Sequence, residues 1–240
     1  MMINVHGGHN RIVPGASGYL DEVTEDRAVT AKVIARLRAL GHTVYDCTDD
    51  SGRTQGQNLS NIVRKCNAHK ADLDVSIHLN SGGGTGTEVL VYSDTGKAAA
   101  YAVKICAAIA ELGYRNRGVK ERKNLYVLKR TSAPALLVEC CFVDSADDKA
   151  RFDADQMAAA IVKGITGQTV TSTPAAGYRV RITTATLNVR KDHSASSAVT
   201  TTVKRGEVYT VVDEYNNGGT MWGKLKSGAG WIALRYTEKV

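Results

Sequence analysis

The chain has 240 residues, of which 43% are hydrophobic and 23% are charged, and this composition excludes collagen, long coiled coils and bulk disorder. No run of about 18 apolar residues occurs, so membrane insertion as a spanning helix is excluded, and the N-terminus lacks the features of a secretory signal peptide. The net charge of +7 is uneven, because residues 169–240 carry ten Lys and Arg against five Asp and Glu, while residues 1–168 carry 21 against 19.

Short apolar runs alternate with helical patterns along residues 1–168. The predicted strands are 2–6, 43–47, 73–79, 87–92 and 135–141, and the predicted helices are 22–40, 59–69, 98–112 and 146–165. Such alternation is typical of strands connected by covering helices. We therefore predict an α/β domain over residues 1–168, with a mostly parallel sheet flanked by helices.

The pattern changes near the C-terminus. Residues 169–177 are small, polar and uncharged, with Pro174 and Gly177 near the end, and they predict an exposed linker. Residues 178–240 alternate apolar and polar positions at 186–190, 207–213 and 230–234, with a hairpin turn predicted at 216–219. This segment predicts a second, small all-β barrel domain that carries most of the basic excess.

Five cysteines precede residue 142, an odd number without the CxxC spacing of redox or metal motifs: Cys47, Cys66, Cys106, Cys140 and Cys141. We expect them to be reduced thiols that pack in the interior, as in proteins made in a reducing compartment.

Four side chains of the larger domain are unusual for positions that only pack. His9 follows the first strand, and Glu22 opens the first helix on the face of Val29. His78 lies at the end of the third strand, and Glu139 interrupts an otherwise apolar run. In a parallel sheet these positions gather near the carboxyl edge of the strands, where α/β proteins bind ligands.

Two imidazoles and one carboxylate, with a fourth position left for water, are typical ligands of catalytic zinc. Glu139 is then available to accept and return the proton of the water. Each residue also has a structural interpretation, since a histidine at a strand end often packs and Glu22 suits a helix N-terminus. His6 is the main alternative to His9 as the first ligand.

At these residues the chain resembles the zinc-dependent N-acetylmuramoyl-L-alanine amidases of the amidase type 3 family, especially those of phage endolysins. The resemblance covers about 165 residues and rests on five ordered motifs: Gly8-His9-Asn10 followed by Gly15-Ala16, Glu22, 76–80, 116–120 and 137–144. The metal-binding histidine of that family precedes the Gly-Ala pair by six positions. The resemblance therefore favours His9 over His6.

Carried over residue by residue, the resemblance implies that His9, Glu22 and His78 bind Zn²⁺ and that Glu139 is the catalytic carboxylate. The implied reaction is hydrolysis of the amide between the lactyl group of N-acetylmuramic acid and L-alanine in bacterial peptidoglycan. Asn80 and Arg117, which lie within the matching motifs, are expected to contact the substrate.

Residues 178–240 resemble bacterial SH3-type domains through 187–190, 206–209 and 222–232. Domains of that family commonly bind cell wall, so we expect Tyr215, Trp222 and Tyr236 to contact it, with peptidoglycan rather than nucleic acid as the partner. A stabilising appendage is the alternative for this part.

Together these expectations describe an endolysin that stays in the host bacterial cytoplasm without a signal peptide and acts on the wall after release, or a related autolysin. Two other functions are left open: a zinc peptidase that cuts within the stem peptide, and a non-catalytic wall-binding protein. The sequence predicts no oligomeric state.

Overall fold

A computed structural model describes residues 1–168, 177–217 and 220–240. The chain divides into two compact units, Met1–Thr171 and Ser172–Val240. Except for Gly177, the predicted linker lies outside the described residues, as do the two glycines of the predicted hairpin turn at 216–219.

The first unit contains a six-stranded sheet and helices on both of its faces. Its strands are β1 Met2–Gly7, β2 Thr43–Asp46, β3 Leu73–Asn80, β4 Thr87–Val91, β5 Asn116–Glu121 and β6 Ala135–Phe142. The strand order is β2-β1-β3-β6-β4-β5, and every neighbouring pair is parallel except β4 and β6. The predicted α/β class with a mostly parallel sheet is confirmed.

The helices of this unit are α1 Glu22–Ala39, α2 Gln55–Asn67, α3 Lys97–Ala110, α4 Tyr126–Arg130, α5 Ala146–Arg151 and α6 Ala154–Thr166. Two differences from the sequence prediction concern α4, which was not predicted, and the predicted helix 146–165, which is divided into α5 and α6. The division has a local cause, because Phe152 is extended and the Asp153 side chain accepts hydrogen bonds from the N–H groups of Asp155 and Gln156. Asp153 therefore caps the start of a new helix.

The two faces of the sheet bury separate apolar clusters. The larger cluster joins the sheet to α1, α3 and α6, and its fully buried members include Val33, Ile77, Ile105 and Ile161. The smaller cluster joins the opposite face to α2 and α4. All five cysteines are free and buried, as expected. Within the described parts of the chain, no helix has the length and apolar character required to cross a membrane.

The first turn of helix α1 places Glu22 inside the protein. Asp21 caps the helix by accepting a hydrogen bond from the Thr24 N–H, which fixes the first turn. Acidic residues follow in that turn, where the helix dipole favours negative charge. One of them, Glu22, is only 3% exposed, so the cap directs a carboxylate into the protein.

The second unit is an all-β structure. Its described strands are β7 Tyr178–Ile182, β8 Thr186–Arg190, β9 Val199–Lys204, β10 Val208–Asn217, β11 Thr220–Leu225, β12 Trp231–Ala233 and β13 Thr237–Lys239, with a 3₁₀ helix at Leu234–Tyr236. They form an antiparallel sheet in the order β13-β7-β10-β11-β12-β8-β9. The sheet encloses a core that includes Val189, Val211 and Ile232. The prediction of a small all-β second domain is confirmed.

Candidate active site

Three of the residues singled out by the sequence lie together in the first unit. His9, Glu22 and His78 each offer one ligand atom, and these atoms lie within 4.8 Å of one another. Oε1 of Glu22 is 3.1 Å from Nδ1 of His78 and 3.6 Å from Nε2 of His9. The two imidazole rings meet edge to face, with centroids 5.3 Å apart. This nitrogen and oxygen donor set could hold a metal ion.

The backbone around these ligands leaves little room for other side chains. A Cβ atom on Gly8 would lie 1.9 Å from Cε1 of His78, and one on Gly15 would lie 2.2 Å from Oε2 of Glu22. His9 itself has a φ of 49°, which is uncommon for a residue other than glycine. The glycines thus allow the loop after β1 to approach the other two ligands closely.

The carboxylate of Glu22 is held at both oxygens. The Ala16 N–H donates to Oε2 at 2.7 Å, and the Leu79 N–H donates to Oε1 at 3.2 Å. Burial alone would raise the pKa of Glu22, but the hydrogen bond with His78 and the charges of both histidines outweigh burial and lower it. Burial alone would lower the pKa of His78, but the hydrogen bond with Glu22 and the charges of Glu139 and Glu22 outweigh burial and raise it. The folded state therefore favours an ionised carboxylate at Glu22.

His6, the alternative first ligand, lies outside this group. Its side chain is buried, and Nδ1 lies 3.3 Å from the Gly7 carbonyl and 3.4 Å from the Ser76 hydroxyl. Burial, reinforced by the charge of His78, lowers the pKa of His6 to about 3. His6 is thus a neutral interior residue with partners in the protein.

Glu139 lies on β6 beside the three ligands. It is the direct register partner of His78 on parallel β3 and of Glu88 on antiparallel β4. Its Oε2 is buried and has no hydrogen-bond partner among the described residues. Burial raises the pKa of Glu139 to about 7; the charge of His78 opposes this increase, and those of Glu22 and Glu88 add to it. A buried carboxyl with a free oxygen is suited to proton transfer.

Glu88 is a residue of this region that the sequence did not single out. Its Oε1 accepts a 3.1 Å hydrogen bond from Nδ2 of Asn80, and its Oε2 accepts a 2.8 Å hydrogen bond from Nε of Arg117. The two expected substrate contacts are therefore brought together by one buried carboxylate. The only sequence signal for Glu88 was a charge within the predicted strand 87–92, which equally fits a solvent-facing position.

The expected wall contacts of the second unit have different environments. Trp222 is 5% exposed and Tyr236 is 38% exposed, and both line a cleft of about 630 Å³. Tyr215 is not in the lining of that cleft and stacks against His193, with ring centroids 3.6 Å apart. Two of the three expected contacts thus share one cleft, and Tyr215 does not line it.

Comparison with known proteins relates the first unit to cell-wall amidases. An uncharacterised protein of Clostridium perfringens is 38% identical over 154 residues, which cover 62% of this chain and 45% of the relative. The sporulation-specific N-acetylmuramoyl-L-alanine amidase of Bacillus subtilis is 29% identical over 167 residues, covering 68% of this chain and 64% of that protein. The chain thus spans less than two thirds of the length of these curated relatives.

Among solved structures, the catalytic domain of the CD27L endolysin targeting Clostridia difficile is similar to this chain. It superposes with a TM-score of 0.67 at 27% identity and covers 71% of this chain and 99% of that domain. The model of the bacterial SH3 domain matches residues 185–238, and the model of the N-acetylmuramoyl-L-alanine amidase family matches residues 2–167. The chain therefore belongs to the N-acetylmuramoyl-L-alanine amidase family and carries a bacterial SH3 domain after its amidase domain.

Proposed function

We propose that this protein is a peptidoglycan hydrolase that cleaves the amide between N-acetylmuramic acid and L-alanine, with zinc held by His9, Glu22 and His78. The observation that carries the proposal is the convergence of these three ligands beside the buried, unpaired Oε2 of Glu139, in a chain of the amidase family. An endolysin or autolysin acting on the cell wall is the role that fits this reaction.

The residues fit zinc in their chemistry and in their surroundings. Two imidazole nitrogens and one carboxylate oxygen are a known ligand set for catalytic zinc, which keeps its fourth position open. Gly8 and Gly15 lie close to the proposed ligands, and a side chain at either position would collide with His78 or Glu22. Glycine at both positions therefore keeps other side chains away from the proposed metal ligands. Zinc in such a site supplies Lewis-acid polarisation of a carbonyl and acidifies water.

Glu139 supplies the proton transfers in this proposal. Its Oε2 has no partner among the described residues, so it is available to accept a proton from the attacking water. The same oxygen then returns the proton to the nitrogen of L-alanine, which leaves as an amine. Water and amide thus become a lactyl carboxylate and a free amino group, with Glu139 regenerated.

The experiment that tests these roles compares Glu139→Gln with the unchanged chain. Glutamine has nearly the same size but cannot accept the proton, so turnover of purified walls should fall roughly a hundredfold or more. Zinc content should remain unchanged, because Glu139 is assigned to proton transfer. Loss of zinc in this variant would instead make Glu139 a ligand, and undiminished turnover would remove it from the reaction.

The second unit is proposed to bind peptidoglycan through its cleft. The described lining contains Arg190 and Arg235 but no Asp or Glu, and Tyr236 provides exposed aromatic surface, whereas Trp222 is buried and contributes little to it. Guanidinium groups bind carboxylates, and aromatic rings offer stacking area, so a polymer of sugars and acidic peptides is a suitable ligand. Wall binding by this unit would raise the local concentration of substrate for the amidase domain.

A further inference from the structure

A row of side chains crosses the sheet from the metal ligands toward its edge. His78 on β3 faces Glu139 on β6, and Glu139 faces Glu88 on β4. Directly opposed residues of neighbouring strands lie on the same face of a sheet. Arg117 on β5 continues the row, because its Nε donates to Oε2 of Glu88 at 2.8 Å. The row therefore extends from the proposed reaction centre to an arginine.

Arg117 is held firmly at its inner side. Besides the bond to Glu88, its guanidinium lies over the ring of Phe142, 4.9 Å from the ring centroid. Glu88 is itself fixed by Asn80, which donates to its other carboxylate oxygen, and the Glu88 side chain is only 10% exposed. Loss of the Glu88 charge would therefore release Arg117 and Asn80 together.

The outer side of Arg117 remains available. Only Nε takes part in its hydrogen bond to Glu88, and neither terminal nitrogen has an acceptor among the described residues. The side chain is 30% exposed. A planar guanidinium with two free terminal nitrogens matches the two oxygens of a carboxylate.

The position of this group fits a particular part of the proposed substrate. Neighbouring strands are about 4.8 Å apart, so a guanidinium bonded to Glu88 from β5 lies roughly 5–10 Å from the strand of Glu139. Two residues of extended chain span about 7 Å. A carboxylate on the second residue of the stem peptide therefore comes within reach of Arg117 when the muramoyl amide is at Glu139.

We propose that Arg117 binds the carboxylate on the second residue of the stem peptide and that Glu88 is the positioning residue that holds Arg117 for this contact. The inference rests on the proposed amidase function and adds a specificity to it. Substrates in which this carboxylate is free are preferred over substrates in which it is amidated.

The test uses the full-length, zinc-loaded chain and two substrates, N-acetylmuramoyl-L-Ala-γ-D-Glu-L-Lys and N-acetylmuramoyl-L-Ala-γ-D-isoglutaminyl-L-Lys. The γ-carboxyl of the second residue is in a peptide bond in both, so they differ only in whether its α-carboxyl is free or amidated. We expect kcat/KM to be about tenfold higher for the substrate with the free carboxylate, because the amidated substrate loses a charge-assisted hydrogen bond. The difference should arise from a higher KM for the amidated substrate, with kcat nearly unchanged. In Arg117→Met the ratio should fall to about one. Arg117→Lys should keep part of the preference for the free carboxylate, since lysine retains the positive charge but lacks the paired donors of a planar guanidinium.

Glu88→Gln tests the positioning role. Asn80 and Arg117 donate to different oxygens of Glu88, and glutamine replaces one of these oxygens with an NH₂ donor and removes the charge. The ratio should therefore fall, while KM for the free carboxylate rises more than kcat changes. Arg115→Met is the matched control, because it removes an exposed positive charge two positions away and should leave the ratio unchanged.

The outcomes separate this inference from the proposed function. If the unchanged chain hydrolyses neither substrate, the amidase proposal itself fails. If it hydrolyses both with equal kcat/KM, or if Arg117→Met keeps the original ratio, the carboxylate contact is wrong and the amidase proposal stands. An unchanged ratio in Glu88→Gln would overturn the positioning role alone.

Discussion

Arg27 donates a 2.7 Å hydrogen bond from Nη2 to the backbone carbonyl of His9, the metal-ligand candidate with a φ of 49°. Its Nη1 donates to the carbonyl of Gly8 at 2.8 Å, so one guanidinium binds two consecutive peptide groups of the ligand loop. Asp26 and Asp50 each lie 2.7 Å from the guanidinium and hold it in place. A left-handed backbone conformation outside glycine costs about 1–3 kcal/mol and persists only where its surroundings enforce it. The two hydrogen bonds from Arg27 hold the backbone of His9 in this conformation.

Replacement of Arg27 should therefore weaken metal binding without removing a ligand. Lysine in Arg27→Lys has one ammonium group and cannot bind both carbonyls and both carboxylates in the same plane. We expect the zinc dissociation constant to rise roughly tenfold to a hundredfold, as for other groups that orient metal ligands. Competition with a chromophoric chelator measures this change.

Arg38→Lys is the control for that experiment. Arg38 lies on the same helix and donates to the carbonyl of Val44 at 2.7 Å, away from the ligand loop. Its replacement should leave zinc affinity unchanged. Equal zinc affinity in Arg27→Lys and the unchanged chain would contradict the role assigned to Arg27.

A second prediction separates the two histidines of the β1 region. His9→Ala should lose most of the bound zinc, whereas His6→Ala should retain about one equivalent, because the buried His6 ring lies outside the ligand group. Metal analysis of the purified variants measures both. Zinc retained in His9→Ala and lost in His6→Ala would move the first ligand to His6.

Residues that break a local pattern could be identified from the sequence. Glu139 interrupts an apolar strand and Glu22 lies on the apolar face of a helix, so both require a partner inside the protein. Glu88 breaks no pattern, since a charge in a strand reads as solvent-facing. Only the antiparallel pairing of β4 with β6, which the sequence did not predict, brings Glu88 beside Glu139.

Strand β5 and the role of Arg27 were also not predicted, because neither interrupts an apolar pattern in the sequence. Strand β5, Asn116–Glu121, is an edge strand with no fully buried residue, so it lacks the apolar alternation by which strands are recognised. Arg27 was equally inconspicuous, because an arginine on an amphipathic helix is usually solvated. Its function depends on the loop after β1 folding back toward α1, which is a tertiary contact.

A third prediction concerns the pH dependence of stability at Asp74. This side chain is 2% exposed, and burial raises its pKa to about 6 although Asn4 donates to Oδ1 at 2.7 Å. Oδ2 of Asp74 and Oδ1 of Asn4 both lack partners among the described residues, and a proton on Asp74 supplies a donor. The folded state thus favours the protonated acid, whose stabilising contribution is complete below about pH 4 and is lost as pH rises through about 6.

Asp74→Asn should remove this dependence. Relative to the unchanged chain, the variant should gain up to about 3 kcal/mol in unfolding free energy between pH 4 and pH 7.5, measured by urea unfolding at both values. Asp72→Asn is the control, because it removes the same charge at an exposed position two residues away. A constant difference between Asp74→Asn and the unchanged chain would contradict the buried-acid assignment.

A fourth prediction concerns the division of work between the two units. A fragment of residues 1–167 contains the whole candidate site and should bind zinc and hydrolyse soluble muropeptides at the rate of the full chain. It should clear intact walls more slowly, since it lacks the tethering of the second unit. Salt should reduce wall binding by the isolated second unit, because screening weakens the electrostatic attraction between its basic surface and the wall. Equal clearing of walls by fragment and full chain would assign the second unit a structural role.

The measurement that tests the central claim most directly is mass spectrometry of peptidoglycan digested by the full chain. Cleavage of the muramoyl amide predicts glycan fragments that end in a free lactyl carboxylate and stem peptides that begin with a free L-alanine amino group. Glu139→Gln, run in parallel, should release neither product at a comparable rate. New termini within the stem peptide, with the bond between N-acetylmuramic acid and L-alanine intact, would show a zinc peptidase and contradict the account.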